Sequence, residues 1–130
     1  MIRMTIVAAS AMLALLPLQA GAQDAGTADV GDFAVDTAQD LLDLCSVDTE
    51  SALYAEAIQF CAGFFEGMKH YHDRMSAGPG VERIVCAPDG VTLEDAIEVY
   101  IAYGQANPQY LNEDPADNVI RAAIAKWPCS

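Results

Sequence analysis

Basic residues are scarce in this chain: six Lys and Arg stand against nineteen Asp and Glu, a formal net charge of −13 at pH 7. A surface so short of positive charge cannot neutralise phosphates, so nucleic acid and anionic membrane are excluded as partners. Long apolar runs are equally rare. The one of note, Ile6 to Leu18, is too short to favour a membrane span. Alternation of apolar and polar residues at period two is missing throughout, which removes the usual signal for half-buried strands. Histidine is reduced to His70 and His72, and tryptophan to a single residue.

What is present begins with a targeting pattern. Arg3, the apolar run and Ala20-Gly21-Ala22 match the charged, hydrophobic and small-residue parts of a secretory signal peptide over residues 1–22. No Cys follows the run, which argues against a lipoprotein. Cleavage after Ala22 would leave 108 residues, enough for one small domain, with five basic against nineteen acidic side chains and a net charge of −14. Such a charge steers association towards a basic partner or a basic cleft. Residues 23–36, rich in Gly, Ala and Asp, read as a flexible lead-in, and residues 37–130 as the folded part.

Four cysteines, Cys45, Cys61, Cys86 and Cys129, in a small exported chain imply two disulfides with three possible connectivities. Cys45 ends one expected helix and Cys61 sits in the next, while Cys86 and Cys129 each lie beside a helix end. The preferred pairs are therefore Cys45 with Cys61 and Cys86 with Cys129.

Helical periodicity organises the rest. Thr37 caps a short helix carrying Leu41, Leu42 and Leu44 and ending at Cys45, with Asp40 in its first turn. A long helix over 51–75 places Leu53, Ala57, Phe60, Cys61, Phe64, Gly67, Met68, Tyr71 and Met75 on one face. Gly63 and Gly67 in its interior each cost about 1 kcal/mol against Ala, so close approach of another backbone is expected there. Residues 76–80, Ser-Ala-Gly-Pro-Gly, break this helix, and Pro88-Asp89-Gly90 forms a turn. Thr92 and Asp95 open a third helix with Leu93, Ala96, Ile97, Tyr100, Ile101 and Gly104 inward, which stops at Asn107-Pro108. Asp114-Pro115 opens a fourth, with Ala116, Val119, Ile120, Ala123, Ile124 and Trp127 on one face. The fold class is all-α, about four helices gathered around the long one and stapled by two disulfides.

Chemistry is thinly represented. A Cys61 nucleophile with a His base is excluded by its expected disulfide. His70 and His72, two apart on a helix, point in different directions and make no metal site, and nothing calls for a cofactor. Glu66 and His70 are spaced for a surface pair, and the acidic doublets are what nineteen acids produce by chance.

The order of these features resembles the Rap/Tai immunity proteins, which neutralise peptidoglycan amidases delivered by type VI secretion. The resemblance rests on Leu41-Leu42 before Cys45, then Cys61-Ala-Gly63-Phe64-Phe65-Glu-Gly67, Cys86-Ala-Pro88-Asp-Gly90-Val91-Thr92, the helix running into Asn107-Pro108, Pro115-Ala116, and Trp127-Pro128-Cys129. It implies a small periplasmic helical protein, often a homodimer, that is not an enzyme and blocks an amidase cleft. These motif residues hold helices and turns, so the partner surface lies elsewhere. Glu82 and Asp89 in one loop, and Tyr103, Tyr110, Glu113 and Asp114 in another, are the candidate contacts. A second reading is an acid-stress chaperone that exposes its apolar helix faces when carboxylates protonate, and a third is a stand-alone periplasmic relative of unassigned role.

Overall fold

The computed structural model describes residues 27–130. The expected signal peptide at 1–22 and the start of the lead-in lie outside the described residues. Four helices follow in order: α1 Ala38–Cys45, α2 Tyr54–Ser76, α3 Leu93–Ala106 and α4 Pro115–Lys126, with 3-10 turns at Gly31–Ala34 and Pro108–Tyr110. Among the described residues there is no strand, only an isolated antiparallel bridge between Val85 and Pro128.

Local chemistry sets the helix starts. Thr37 and Asp40 form a reciprocal capping box, with Thr37 N–H donating to Asp40 at 2.8 Å. Thr92 and Asp95 repeat it on α3. Asp114 accepts from Ala116 N at 2.8 Å and from Asp117 N at 3.3 Å, with Pro115 in the first turn of α4. Each such cap contributes about 1 kcal/mol. The long helix has no side-chain cap and begins at Tyr54. The preceding turn is held by Asp48, which accepts from Glu50 N, and by Ser51, which accepts from Leu53 N.

The bundle is centred on α1. Ala38, Leu41, Leu42, Leu44 and Cys45 are all buried, and α1 packs against α2, α3, α4 and the first 3-10 turn. Three leucines in eight residues, each contributing about 1.5–3 kcal/mol when buried, make this short helix a hydrophobic plug. Tyr100 of α3 stacks edge-on with Phe65 of α2, centroids 5.4 Å apart. Its hydroxyl donates to Ala38 O at 2.8 Å, which ties α3 to the start of α1. The first backbone N–H groups of α1 are also satisfied: Ala38 N donates to Glu113 O and Gln39 N to Leu111 O, both at 2.9 Å.

Both disulfides form in the preferred pairs, Cys45 with Cys61 and Cys86 with Cys129. The first is in the core, joining α1 to α2; the second lies at the surface, where Cys86 is exposed.

Three expectations are revised. The stretch read as a flexible lead-in is docked from Ala28 onward: Phe33 meets Phe60 edge-to-face at 5.6 Å, and Val35 reaches both apolar clusters. Two apolar side chains outweigh the Gly and Asp around them. Gly63 and Gly67 have no close neighbour, since a Cβ added at either would meet nothing within 4 Å. The close approach falls instead at Gly104, where an added Cβ would lie 3.2 Å from Leu42 Cδ2. Finally, the apolar stripe of α2 is not buried along its length. Ala57 and Cys61 are covered and Phe65, which the stripe did not include, is buried where Phe64 is only half-buried, while Tyr71 and Met75 are 65% and 46% exposed.

Candidate functional site

That unequal burial has a geometric cause. With 23 residues α2 is about 35 Å long, whereas α1 with eight is about 12 Å. Beyond Phe65 the long helix has outrun its partner. The connection from 77 to 92, which has no helix of its own, folds back beside these last turns. Gly80 and Gly90 take positive φ in it, 78° and 90°, which side-chain-bearing residues adopt only at a cost.

The connection is pinned on two sides. Towards α2, Arg83 Nη2 lies 3.1 Å from Asp73 Oδ1. Towards the C-terminus, Cys86 N donates to Trp127 O at 2.9 Å beside the Cys86–Cys129 bridge. Between the connection, α2 and α4 a groove of about 420 Å³ remains open. Its floor is apolar, with Phe65, Met68, Leu93, Ala96, Val119 and Trp127. Its lip is charged, with Glu66, Lys69, Asp73, Arg83 and Asp89.

The lip charges are not equivalent. Asp73 accepts from Lys69 at 3.3 Å as well as from Arg83. Hydrogen bonding from Lys69, then from Arg83, holds its carboxyl below the usual carboxylate range. Glu66 faces His70 at 3.1 Å, the surface pair that the spacing had suggested. His72 turns the other way, lines the groove, and keeps only 15% of its side chain exposed, with Ser76 Oγ 3.5 Å from its Nε2. Among the described residues, Asp89 and the exposed Glu82 of the same connection take part in no ion pair or hydrogen bond. Around the same end of the molecule Tyr71, Met75, Val81 and Ile84 remain exposed.

The second group of candidate contacts is engaged in the scaffold. Arg121 stacks over Tyr110, 4.6 Å from the ring centroid, and pairs with Glu113 at 2.8 Å. Asp114 caps α4, and Tyr103 is half-buried against the core. The carbonyls of this segment also serve the start of α1, so the connection from 107 to 114 is a brace. Asp89 therefore lies on the groove lip with Glu82 exposed on the same connection, while Tyr110, Glu113 and Asp114 brace helix ends and Tyr103 packs against the core.

All four cysteines are oxidised, which leaves no thiol nucleophile. Among the described residues no group of three or more His, Cys, Asp or Glu gathers to hold a metal ion. What the arrangement offers is a preformed concave surface with an apolar floor and charged edges. Sequence reasoning missed it. The available signal was the pair Asp73 and Arg83 on either side of the helix break, together with more apolar residues on α2 than an eight-residue neighbour can cover.

Among curated proteins and among solved structures none matches this chain. A family model does, that of the Rap1a immunity proteins, over residues 37–129. The matched span runs from the Thr37 cap that starts α1 to the Cys129 that closes the surface bridge, and so takes in the four described α-helices and both disulfides. By that match, the chain belongs to the Rap1a immunity protein family.

Proposed function

We propose that this protein is exported to the periplasm and there binds and occludes a peptidoglycan amidase delivered by type VI secretion. The observation that carries the reading is the pinned connection of 77–92, which places Asp89 on the lip of an apolar groove and leaves Glu82 exposed beside the lining residue Arg83 in sequence, on a strongly acidic molecule. An inhibitor needs shape, charge and a surface that is ordered before binding, and the two bridges provide that order. It requires no reactive residue, in keeping with four oxidised cysteines. Acidic groups around the lip favour fast capture of a basic enzyme surface.

The test is inhibition of a cognate amidase by the mature protein, with complex mass measured by light scattering to give stoichiometry and any homodimer. Wild-type protein should abolish peptidoglycan cleavage at equimolar ratio. Reversal of both loop charges, Glu82→Lys with Asp89→Lys, should weaken inhibition by about tenfold or more, as expected for two interfacial charge contacts. Unchanged inhibition by that variant would remove the loop from the interface. A mature protein that inhibits no amidase and instead holds many unrelated proteins at acidic pH would replace the immunity reading with the chaperone one.

A further inference from the structure

We infer that the groove between α2, the 77–92 connection and α4 receives an apolar side chain carried on a basic segment of the effector. This rests on the immunity reading and names what the same surface recognises. Three observations on the groove support it.

The floor is mostly carbon-rich surface, from Phe65, Met68, Leu93, Val119 and Trp127, with His72 and Thr92 as polar groups among the lining residues. At about 420 Å³ it has room for one large side chain with its neighbours, and it falls in the range of specific ligand sites. An apolar tip matches the larger part of this surface and buries it on binding.

The lip decides the sign of what flanks that tip. Of the five described basic residues, two, Lys69 and Arg83, line the groove, and both are committed to Asp73. The lining carboxylate left without a hydrogen-bond or ion-pair partner among the described residues is Asp89, and the exposed Glu82 and Glu94 stand next in sequence to the lining residues Arg83 and Leu93. An acidic occupant would meet repulsion from these and from a net charge of −13. A second copy of this chain would carry the same charge and meet the same repulsion. Lysine or arginine beside the apolar tip would instead face Asp89 on the lip, within a strongly acidic surface.

The third observation is that the wall is already in place. Arg83 on Asp73 and Cys86 on Trp127 and Cys129 hold the connection at two points, so little ordering remains to be done on binding.

Trp127 is the only tryptophan of the chain and lines the groove, so its fluorescence reports occupancy directly. The probes are three synthetic hexapeptides without Trp or Tyr: Lys-Lys-Leu-Phe-Lys-Lys, its acidic counterpart Glu-Glu-Leu-Phe-Glu-Glu, and the basic but polar Lys-Lys-Gly-Ser-Lys-Lys. The first is expected to shift Trp127 emission saturably, with affinity falling as salt rises, and at least tenfold tighter than the other two. Ala123→Met, which fills the groove, and the surface variant Glu82→Lys with Asp89→Lys, which leaves the core untouched, should each weaken that binding about tenfold or more. Equal binding of the acidic peptide, or of the polar one, overturns the proposal. So does a homodimer that dissociates when Ala123→Met is introduced, since the groove would then hold a second copy.

The same variants are assayed for amidase inhibition in parallel. Full inhibition by wild type and by both variants would retain the immunity reading and discard the groove as its docking site. Absence of inhibition by wild type would discard the immunity reading, whatever the peptides do.

Discussion

Replacing Cys86 and Cys129 together by alanine removes a cross-link that spans 43 residues, whereas the Cys45–Cys61 bridge spans 16. On the chain-entropy account the longer closure restricts the unfolded chain more, about 4 kcal/mol against about 3 kcal/mol. The surface site adds little to this, because Cys86 is exposed and its truncation opens no cavity. The core site adds more. Cys45 and Cys61 are 4% and 0% exposed, and deleting both sulfurs leaves a void whose lining loses about 1–2 kcal/mol. The two double variants are thus expected to lose similar totals, about 4 and about 4–5 kcal/mol, for different reasons. Urea unfolding followed by far-UV circular dichroism reads both. With an m-value of about 1.5 kcal/mol per M, the Cys86→Ala, Cys129→Ala variant should unfold about 2.7 M earlier than wild type. Limited reduction gives an independent check: a dithiol followed by alkylation should label Cys86 and Cys129 before the buried pair. A surface-bridge variant within about 1 kcal/mol of wild type would refute the closure argument, as would simultaneous labelling of all four cysteines.

Other perturbations test the packing. Burial, and then the negative charges of Asp43 and Asp40, raise the Tyr100 phenol well above its ordinary 10.0. The folded state therefore keeps a proton that the unfolded state releases, and stability present below pH 10 should fall as pH rises beyond it. Tyr100→Phe should abolish that alkaline loss in a melting-temperature profile while costing about 1 kcal/mol at neutral pH for the lost bond to Ala38 O. Gly63→Ala should stabilise by about 0.5–1 kcal/mol, because α2 gains helix propensity and the new methyl meets nothing. Gly104→Ala should do the reverse, losing about 1–3 kcal/mol as its Cβ presses on Leu42, with both changes read as shifts in denaturation midpoint. Asp114→Ala should cost about 1 kcal/mol by freeing two N–H groups of α4, and equal midpoints for variant and wild type would show that the cap contributes nothing.

The parts of this structure that were legible in the chain are those written in nearest neighbours. Thr37 with Asp40, Thr92 with Asp95 and Asp114 with Pro115 each mark a helix start through contacts three residues long or less. The inward face of α3 was read nearly complete, because its period persists over 14 residues with partners on all of its length. The cysteine pairs followed from where helix ends fell. What stayed hidden depends on pieces far apart in the chain. Periodicity marked Tyr71 and Met75 as apolar-face residues of α2, but whether anything covers them depends on how long α1 is. It also pointed to Ile124 on α4, which is 38% exposed, while the more polar Asn118 is buried. Asn118 Nδ2 donates to Tyr110 O, a partner supplied by the brace segment that no local pattern announces. The groove is a case of the same kind. It exists only because residues 77–92 return along α2, and that return is held by Asp73 with Arg83 and by Cys86 with Trp127.

The way α1 is held also sets an order of events. Its first N–H groups are donated to the carbonyls of Glu113 and Leu111, and the carbonyl of Ala38 receives the hydroxyl of Tyr100, 62 residues away. A chain emerging N-terminus first makes the plug early and cannot seat it until nearly the whole domain has appeared. Contacts of such separation slow folding, because the loops they close must be ordered before any reward is felt. No N-terminal fragment ending before the brace can complete its own first helix, so truncation at the 107–114 connection should leave a collapsed chain without a fixed core. The shortest helix of the bundle is thus the first one made and the last one finished.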